Sequence, residues 1–371
     1  MNIRRLRKIE WWIPLFALAL CAIGLIALFS ASYDTGLDEF KKQAVWIAVS
    51  FFLMIITMLI DYKLLVKISP VLYGITIIML IAVLFTEPIS GARSWFVIGN
   101  DLFSFQPAEI SKIFVILFMS YIISLIQIKK GRDEINKISK LFLILLAIAI
   151  PIALIVVQPD YGTAAAYIVS FALMIFVAGI DKKYIIAAIL IIAIALPLIY
   201  NFALPDHAKQ RIETFLNPGS DPKGAGYNVL QSKLAIGAGQ ITGMGILEGN
   251  QTQLGYLYPK TTDFIFSVIG EEMGFIVASG VILLNIMIII KAIQVAKGIK
   301  DETGAYVAIG IAGIFLFHTV ENIGMTMGIL PITGVPLLFV SYGGSSMITS
   351  FIAIGILLNI SSQRRNGIFN K

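Results

Sequence analysis

The feature that most constrains this chain is the recurrence, from one end to the other, of apolar runs of about 17 residues or more, most without a charge and a few containing acids or a lysine. An α-helix rises about 1.5 Å per residue, so each such run is long enough to cross a hydrocarbon core of roughly 30 Å. The runs fall at about 11–32, 43–60, 68–86, 106–126, 141–157, 161–180, 184–200, 264–290, 305–325 and 335–360. Strands of a membrane β-barrel alternate apolar and polar residues and would not give unbroken runs. The expected fold is all-α: a polytopic membrane protein of about ten transmembrane helices, forming one membrane-embedded domain over 1–371.

Composition agrees. Only 13% of the residues are charged and 58% are hydrophobic, whereas a soluble domain carries roughly a quarter charged residues to solvate its surface. A soluble globule is excluded. The net charge of +6 follows the membrane topology, because lysines and arginines collect on the cytoplasmic side. With the N-terminus inside, Arg4, Arg5, Arg7, Lys8, Lys63, Lys67, Lys137, Lys140, Lys182, Lys183, Lys291, Lys297 and Lys300 all fall in cytoplasmic segments. Both termini are therefore expected in the cytoplasm, and the basic balance gives no reason to expect a nucleic acid. The first run is too long for a cleaved signal peptide and reads as a signal anchor. Cys21 is the single cysteine, so there is neither a disulfide framework nor a thiolate metal site.

Two segments on the expected outer face are long. One is 87–105; the other, 201–262 between the seventh and eighth spans, is rich in Gly, Pro, Asn, Asp and Gln, with one potential amphipathic helix from Tyr227 to Ile236. A loop of that length inside a compact fold is usually functional. Chemistry is expected at the outer surface, between this loop and the helix tops.

Ionisable residues inside spans point to a site, because burying one unpaired is costly. Glu109 and Lys112 are three apart and share a helix face. Asp160 follows Gln158-Pro159 at a helix start, where its carboxylate suits the N-terminal dipole. Two arrangements are open: a cap plus an i,i+3 ion pair, or a Lys112–Asp160 pair joining two helices beneath the surface. Asp263 stands at the start of the eighth span, either as an N-cap or as a general base where outer water meets the bilayer. Glu271 and Glu272 would lie about 12–13 Å deeper along a straight helix, one lining a polar cavity and the other pairing with or capping a neighbour. His318, Glu321 and Asn322 share a face at i, i+3 and i+4, with polar interhelical contacts expected in preference to a metal site. Gly237-Ala238-Gly239 and Gly243-Met244-Gly245 lack the preceding strand that a phosphate loop requires. The run Ser341-Tyr342-Gly343-Gly344-Ser345-Ser346 suits close backbone packing at a helix start.

Five stretches occur in order on the ten spans: Gly91-Ala92-Arg93-Ser94-Trp95, Phe105-Gln106-Pro107-Ala108-Glu109-Ile110-Ser111-Lys112, Gln158-Pro159-Asp160-Tyr161-Gly162-Thr163, Thr262-Asp263-Phe264-Ile265-Phe266 with Glu271-Glu272-Met273-Gly274, and Ser341-Tyr342-Gly343-Gly344-Ser345-Ser346. On these the chain resembles the SEDS family (shape, elongation, division and sporulation) of membrane-embedded peptidoglycan polymerases. Phe215-Leu216-Asn217-Pro218, Asp221-Pro222, Gly226-Tyr227-Asn228 and Gln231-Ser232-Lys233 are similar to its RodA-like, elongation branch. The resemblance implies a glycosyltransferase at the outer face of the bacterial cytoplasmic membrane, polymerising lipid II, with an undecaprenyl-pyrophosphate-linked glycan as donor. It implies Asp263 as the essential loop aspartate and Lys112, Asp160 and Arg211 as further site positions. Arg93, with Arg211 and a divalent cation (Mg or Mn) of unknown ligands, is the candidate partner of the leaving pyrophosphate. Glu109, Glu271 and Glu272 complete the candidate site architecture. A class B penicillin-binding protein is the implied protein partner, and membrane lipid the implied surroundings.

The family often reads Leu-Pro-Glu-x-His-Thr-Asp-Phe, whereas this chain has Leu257-Tyr258-Pro259-Lys260-Thr261-Thr262-Asp263-Phe264. The usual acid and histidine are missing. Leu338 also stands where a proline is frequent. Two readings compete with the polymerase: a transporter that flips lipid II, and a structural scaffold for a synthase complex. A scaffold leaves the buried charges unexplained, and alternating access does not suit marked residues gathered near one surface.

Overall fold

The computed structural model describes residues 8–89, 92–98, 103–128, 131–202, 206–217, 219, 221 and 224–364. Arg4, Arg5, Arg7, Gly91, Pro218 and Pro222 lie outside the described residues. Ten helices are long and apolar enough to cross a membrane. They are α1 (Trp12–Ala31), α2 (Asp38–Leu59), α3 (Tyr62–Ala82), α4 (Pro107–Gln127), α5 (Ile138–Val157), α6 (Tyr161–Ala178) and α7 (Lys182–Phe202). After three shorter helices, α8 (Asp206–Leu216), α9 (Ala225–Ala238) and α10 (Asn250–Gln253), come the last three spans: α11 (Ile265–Gly298), α12 (Glu302–Thr326) and α13 (Gly344–Ser362). The protein is a multi-pass membrane protein, as the hydropathy pattern predicts.

Local chemistry sets the helix ends. Asp38 and Glu39 occupy the first turn of α2, where the helix dipole favours acids. Pro107 opens α4, the position at which its missing N–H costs nothing. The side chains of Asp61 and Asp301 cap α3 and α12 by accepting from Lys63 N and Gly304 N. At the far end of α6, Gly179 takes the left-handed conformation that terminates many helices.

The spans differ in how much protein surrounds them. Within their most apolar windows α12 and α13 are 72% and 78% buried, while that of α7 is 0% buried among the described residues. The first two therefore form the centre of the bundle, and α7 stands at its rim. Large apolar side chains such as Phe142, Leu146, Ile150, Ile186 and Leu190 are exposed, which suits a surface facing lipid and would be an aggregation hazard in water. Around the centre, α13 packs on α2, α12 on α6 and α11, and α1 on α11.

Three differences from the sequence expectation bear on the site. The last span begins at Gly344 rather than near 335, and no helix is assigned between Met327 and Gly343. Pro331 and Pro336 lack the N–H a helix needs, Gly334 sits at φ 74° between them, and Phe339 is held at φ 68°. Secondly, the expected amphipathic helix in 201–262 is present as α9 but does not stand alone, since α8 and α10 lie on either side of it in sequence. The other long loop contains a short antiparallel hairpin, β1 (Phe96–Ile98) with β2 (Phe103–Phe105).

Thirdly, α11 is broken. Gly274 adopts φ 76°, ψ −176°. At the break the 240–245 segment supplies the missing backbone partners: Met244 N and Gly245 N donate to the carbonyls of Glu271 and Glu272, while Phe275 N and Ile276 N donate to those of Gln240 and Ile241. Exchanging intrahelical bonds for these keeps buried peptide groups satisfied. A side chain on Gly243 would begin 2.2 Å from Glu272 O, and one on Gly274 would begin 2.2 Å from Gly243 N. The glycine run that resembled a phosphate loop thus serves close backbone approach.

Candidate functional site

The described parts of the sequence motifs gather at one end of the bundle, where the 327–343 segment is the hub. Gly162 packs so closely on it that an added Cβ would lie 2.6 Å from Val335 Cγ1 and 3.0 Å from Thr333 O. His318 Nδ1 lies 3.0 Å from Pro336 O, Glu321 accepts from Thr333 Oγ1 (2.8 Å), and Asn322 Nδ2 donates to Val335 O (2.9 Å). These polar contacts of His318, Glu321 and Asn322 run to a non-helical segment rather than to another helix as expected, although His318 also meets Lys112 of α4.

Asp263 lies in the turn leading into α11. The cap position of that helix is Phe264, with no side-chain cap hydrogen bond. The turn is held through its backbone. Tyr342 N donates to Thr261 O (2.9 Å), Ser341 Oγ to Thr262 O (2.7 Å), and Asn322 Nδ2 to Asp263 O (3.0 Å). These three bonds fix successive carbonyls and leave the carboxylate uninvolved in them. Asp263 is partly exposed, and its Oδ2 lies 3.6 Å from where a Cβ on Gly334 would be. Burial, with a smaller contribution from the Glu39 carboxylate, pushes the neighbouring Tyr342 phenol above its ordinary value. Tyr342 therefore stays uncharged at neutral pH.

Beneath the turn lies a closed ionic cluster. Lys112 Nζ is 2.7 Å from Glu109 Oε1 and 2.9 Å from His318 Nε2, and all three side chains are buried. An ammonium only donates and a carbonyl only accepts, so His318 carries its ring proton on Nδ1, toward Pro336, and accepts at Nε2. The i,i+3 pair read from the sequence is formed. The alternative Lys112–Asp160 pair is not: Asp160 accepts from Thr163 N (3.0 Å), capping α6, and from Gln106 Nε2 (2.8 Å). The physical reason is proximity, since each charge finds a partner within one helical turn of its own chain.

Gln106, part of a quoted stretch but not singled out as a site residue, joins that stretch to two others. Its side chain holds Asp160, and its backbone N–H donates to Ser345 Oγ (3.1 Å). Arg93 is exposed and donates to Leu84 O (3.3 Å), while its neighbour Ser94 contacts Gln158 O (3.5 Å). Arg211 falls on α8, and its side chain lies outside the described residues.

Glu271 and Glu272 are buried, as expected, and both precede the break at Gly274, so the helix runs unbroken from Ile265 to them. Glu271 caps a neighbour: its carboxylate accepts from Gln251 N (2.7 Å), Thr252 N (3.0 Å) and Thr252 Oγ1 (2.7 Å) at the start of α10. Glu272 Oε1 accepts from Ser30 Oγ (2.7 Å) and Gln253 Nε2 (2.9 Å), tying α1 and α10 to α11. Among the described residues no three His, Cys, Asp or Glu side chains gather to hold a metal ion.

A ten-span bundle with an acidic turn clamped over a buried ion pair defines a class of membrane protein, and comparison with known proteins identifies the class. Residues 10–366 match the profile of the FtsW/RodA/SpoVE family, described as cell cycle proteins. The chain belongs to that family. The peptidoglycan glycosyltransferase MrdB of Escherichia coli K12 is 36% identical to it over 354 residues, covering 95% of this chain and 93% of MrdB. The peptidoglycan glycosyltransferase RodA of Treponema pallidum is 30% identical over 440 residues, covering 98% and 100%. Among solved structures, a chain from work on the coordination of polymerization and crosslinking by a peptidoglycan synthase complex superposes with a TM-score of 0.81. It is 25% identical, with 95% of this chain and 97% of that one covered. The crystal structure of the Thermus thermophilus rod shape determining protein RodA gives a TM-score of 0.71 at 24% identity, covering 97% and 98%. The enzyme class implied by the sequence resemblance, peptidoglycan glycosyltransferase, is the class these relatives carry.

Proposed function

We propose that this chain is a peptidoglycan glycosyltransferase of cell elongation that polymerises lipid II at the outer face of the cytoplasmic membrane, with Asp263 as its general base. The observation that carries the reading is the clamped turn. Three successive carbonyls are fixed by Tyr342, Ser341 and Asn322, which holds the backbone of a partly exposed aspartate in place. The end of the bundle carrying this turn faces outward and both termini face the cytoplasm, in keeping with the basic residues at the opposite end.

The reaction is a single displacement. The 4-hydroxyl of an acceptor lipid II attacks the anomeric carbon of the undecaprenyl-pyrophosphate-linked glycan, and Asp263 takes the hydroxyl proton as the new bond forms. The bond to pyrophosphate breaks, and that group leaves with the electron pair. An α-linked donor attacked from the opposite side gives a β-1,4 link. Arg93 and Arg211 are assigned to the leaving charge. Lys112, Glu109 and Asp160 are assigned to architecture, because the first two are shut away from substrate and Asp160 is engaged as a cap. A class B penicillin-binding protein supplies the crosslinking activity alongside it.

Proteoliposomes containing the purified chain and lipid II test the reading. Wild type is expected to yield glycan polymer and Asp263→Ala none, with equal amounts of folded protein. Lipid II crossing the bilayer without polymer, unchanged in Asp263→Ala, would instead make the protein a transporter.

A further inference from the structure

Of the residues preceding Asp263 in its turn, Lys260 is anchored in a way that no motif accounts for. A lysine side chain beside a loop surface normally extends into water, yet this one is only 12% exposed. Its ammonium lies 3.1 Å from both carboxylate oxygens of Asp34 and 3.0 Å from Thr252 O. That accounts for all three of its donors.

The two anchors are themselves fixed. Asp34 lies in the short 3₁₀ turn Tyr33–Thr35 that directly follows α1. Thr252 is fully buried in α10, and its N–H and hydroxyl both donate to Glu271 of α11. Lys260 therefore ties the turn to α1, α10 and α11, whereas Thr261, Thr262 and Asp263 tie it to α12 and the 327–343 segment. Residues 260 to 263 are thus gripped from two sides, and Lys260 provides the grip on the side away from the hub.

We propose that Lys260 is a positioning residue for Asp263, holding the turn in register through Asp34 and Thr252. The proposal rests on the reading of Asp263 as the base. Its energetic logic separates it from a purely structural role. Asp34 is half exposed, and ion pairs open to water contribute little to stability, so Asp34→Asn costs the fold little. Displacing a reacting group by about 1 Å can cost about 10²-fold in rate, so the loss should appear in turnover.

The test measures kcat and KM of the purified full-length chain with lipid II for Lys260→Met, Lys260→Arg, Asp34→Asn and the Asp34→Asn/Lys260→Met double. Hydrogen exchange across 258–264 is followed without substrate. Lys260→Met is expected to lower kcat about tenfold with KM unchanged, and Lys260→Arg to restore most of it. The double should be no worse than Lys260→Met alone, because both changes break one interaction. Exchange should rise in 258–264 and stay unchanged in the spans. Wild-type kcat and exchange in Lys260→Met would overturn the proposal. So would a rise in KM with no effect of Asp34→Asn, which would make Lys260 a substrate contact. Full activity in Asp263→Asn would remove the base reading instead, and the exchange arm alone would then decide whether Lys260 holds the turn.

Discussion

Two charged regions share this bundle and are built in opposite ways. In the Lys112 cluster the ionisable side chains bond one another, ammonium to carboxylate and ammonium to imidazole, and the imidazole alone of the three also reaches backbone, at the Pro336 carbonyl. The groups are buried and hold one another. At the Asp263 turn the connections described run to backbone carbonyls, and the residue is partly exposed. A buried pair neutralises its charge on its partner, whereas a clamped turn fixes a backbone position and leaves its aspartate partly exposed. The first arrangement suits architecture and the second suits chemistry, although sequence marks both as charges near a membrane surface.

The largest expected effect that sharpens this contrast is on the cluster's stability. Lys112→Met strands the Glu109 carboxylate in a buried site and should destabilise the protein by about 3–5 kcal/mol. The Lys112→Met/Glu109→Leu double should regain much of that, because no unpaired charge is left. Thermal unfolding in detergent reads both, and equal loss in single and double would mean the pair is not the unit. Asn322→Ala comes next. It removes the donor shared by the buried carbonyls of Val335 and Asp263, so a loss of about 1–3 kcal/mol is expected, together with a fall in polymerisation rate as the turn loosens. A stability loss with full activity would break the link between clamp and chemistry. Ser341→Ala should be smallest, at about 1 kcal/mol, since Tyr342 N and Asn322 still hold the adjacent carbonyls. A larger loss would show that the hydroxyl, which also accepts from Leu337 N, organises the hub itself.

Much of this was legible in the sequence for physical reasons. Spans are set by a solvent that tolerates no unpaired backbone, so apolar length alone placed all ten. The Glu109–Lys112 pair follows from helical spacing, and Glu271 capping a neighbour follows from the cost of a buried acid. Other features were hidden because hydropathy does not register backbone geometry. Residues 335–343 are as uncharged as a helix, and only Pro331, Gly334 and Pro336 signalled a break. Gly243 and Gly274 gave no sign that one would lie against the other, because their contact joins a loop to an interrupted helix. Lys112 and Asp160 could have met across two helices. Partners nearer to each, Glu109 and Thr163 N, were available, and distance decided.

The central claim is that Asp263 does chemistry rather than holding structure. The most direct measurement is the rate of glycan polymer formation from lipid II by purified wild type and Asp263→Asn, normalised to folded protein by thermal unfolding. Asparagine keeps the shape and cannot take the proton. The rate should fall by about 10²–10⁴-fold with the unfolding midpoint unchanged. Polymer made at the wild-type rate, or a loss of rate that merely tracks a loss of folded protein, would contradict it.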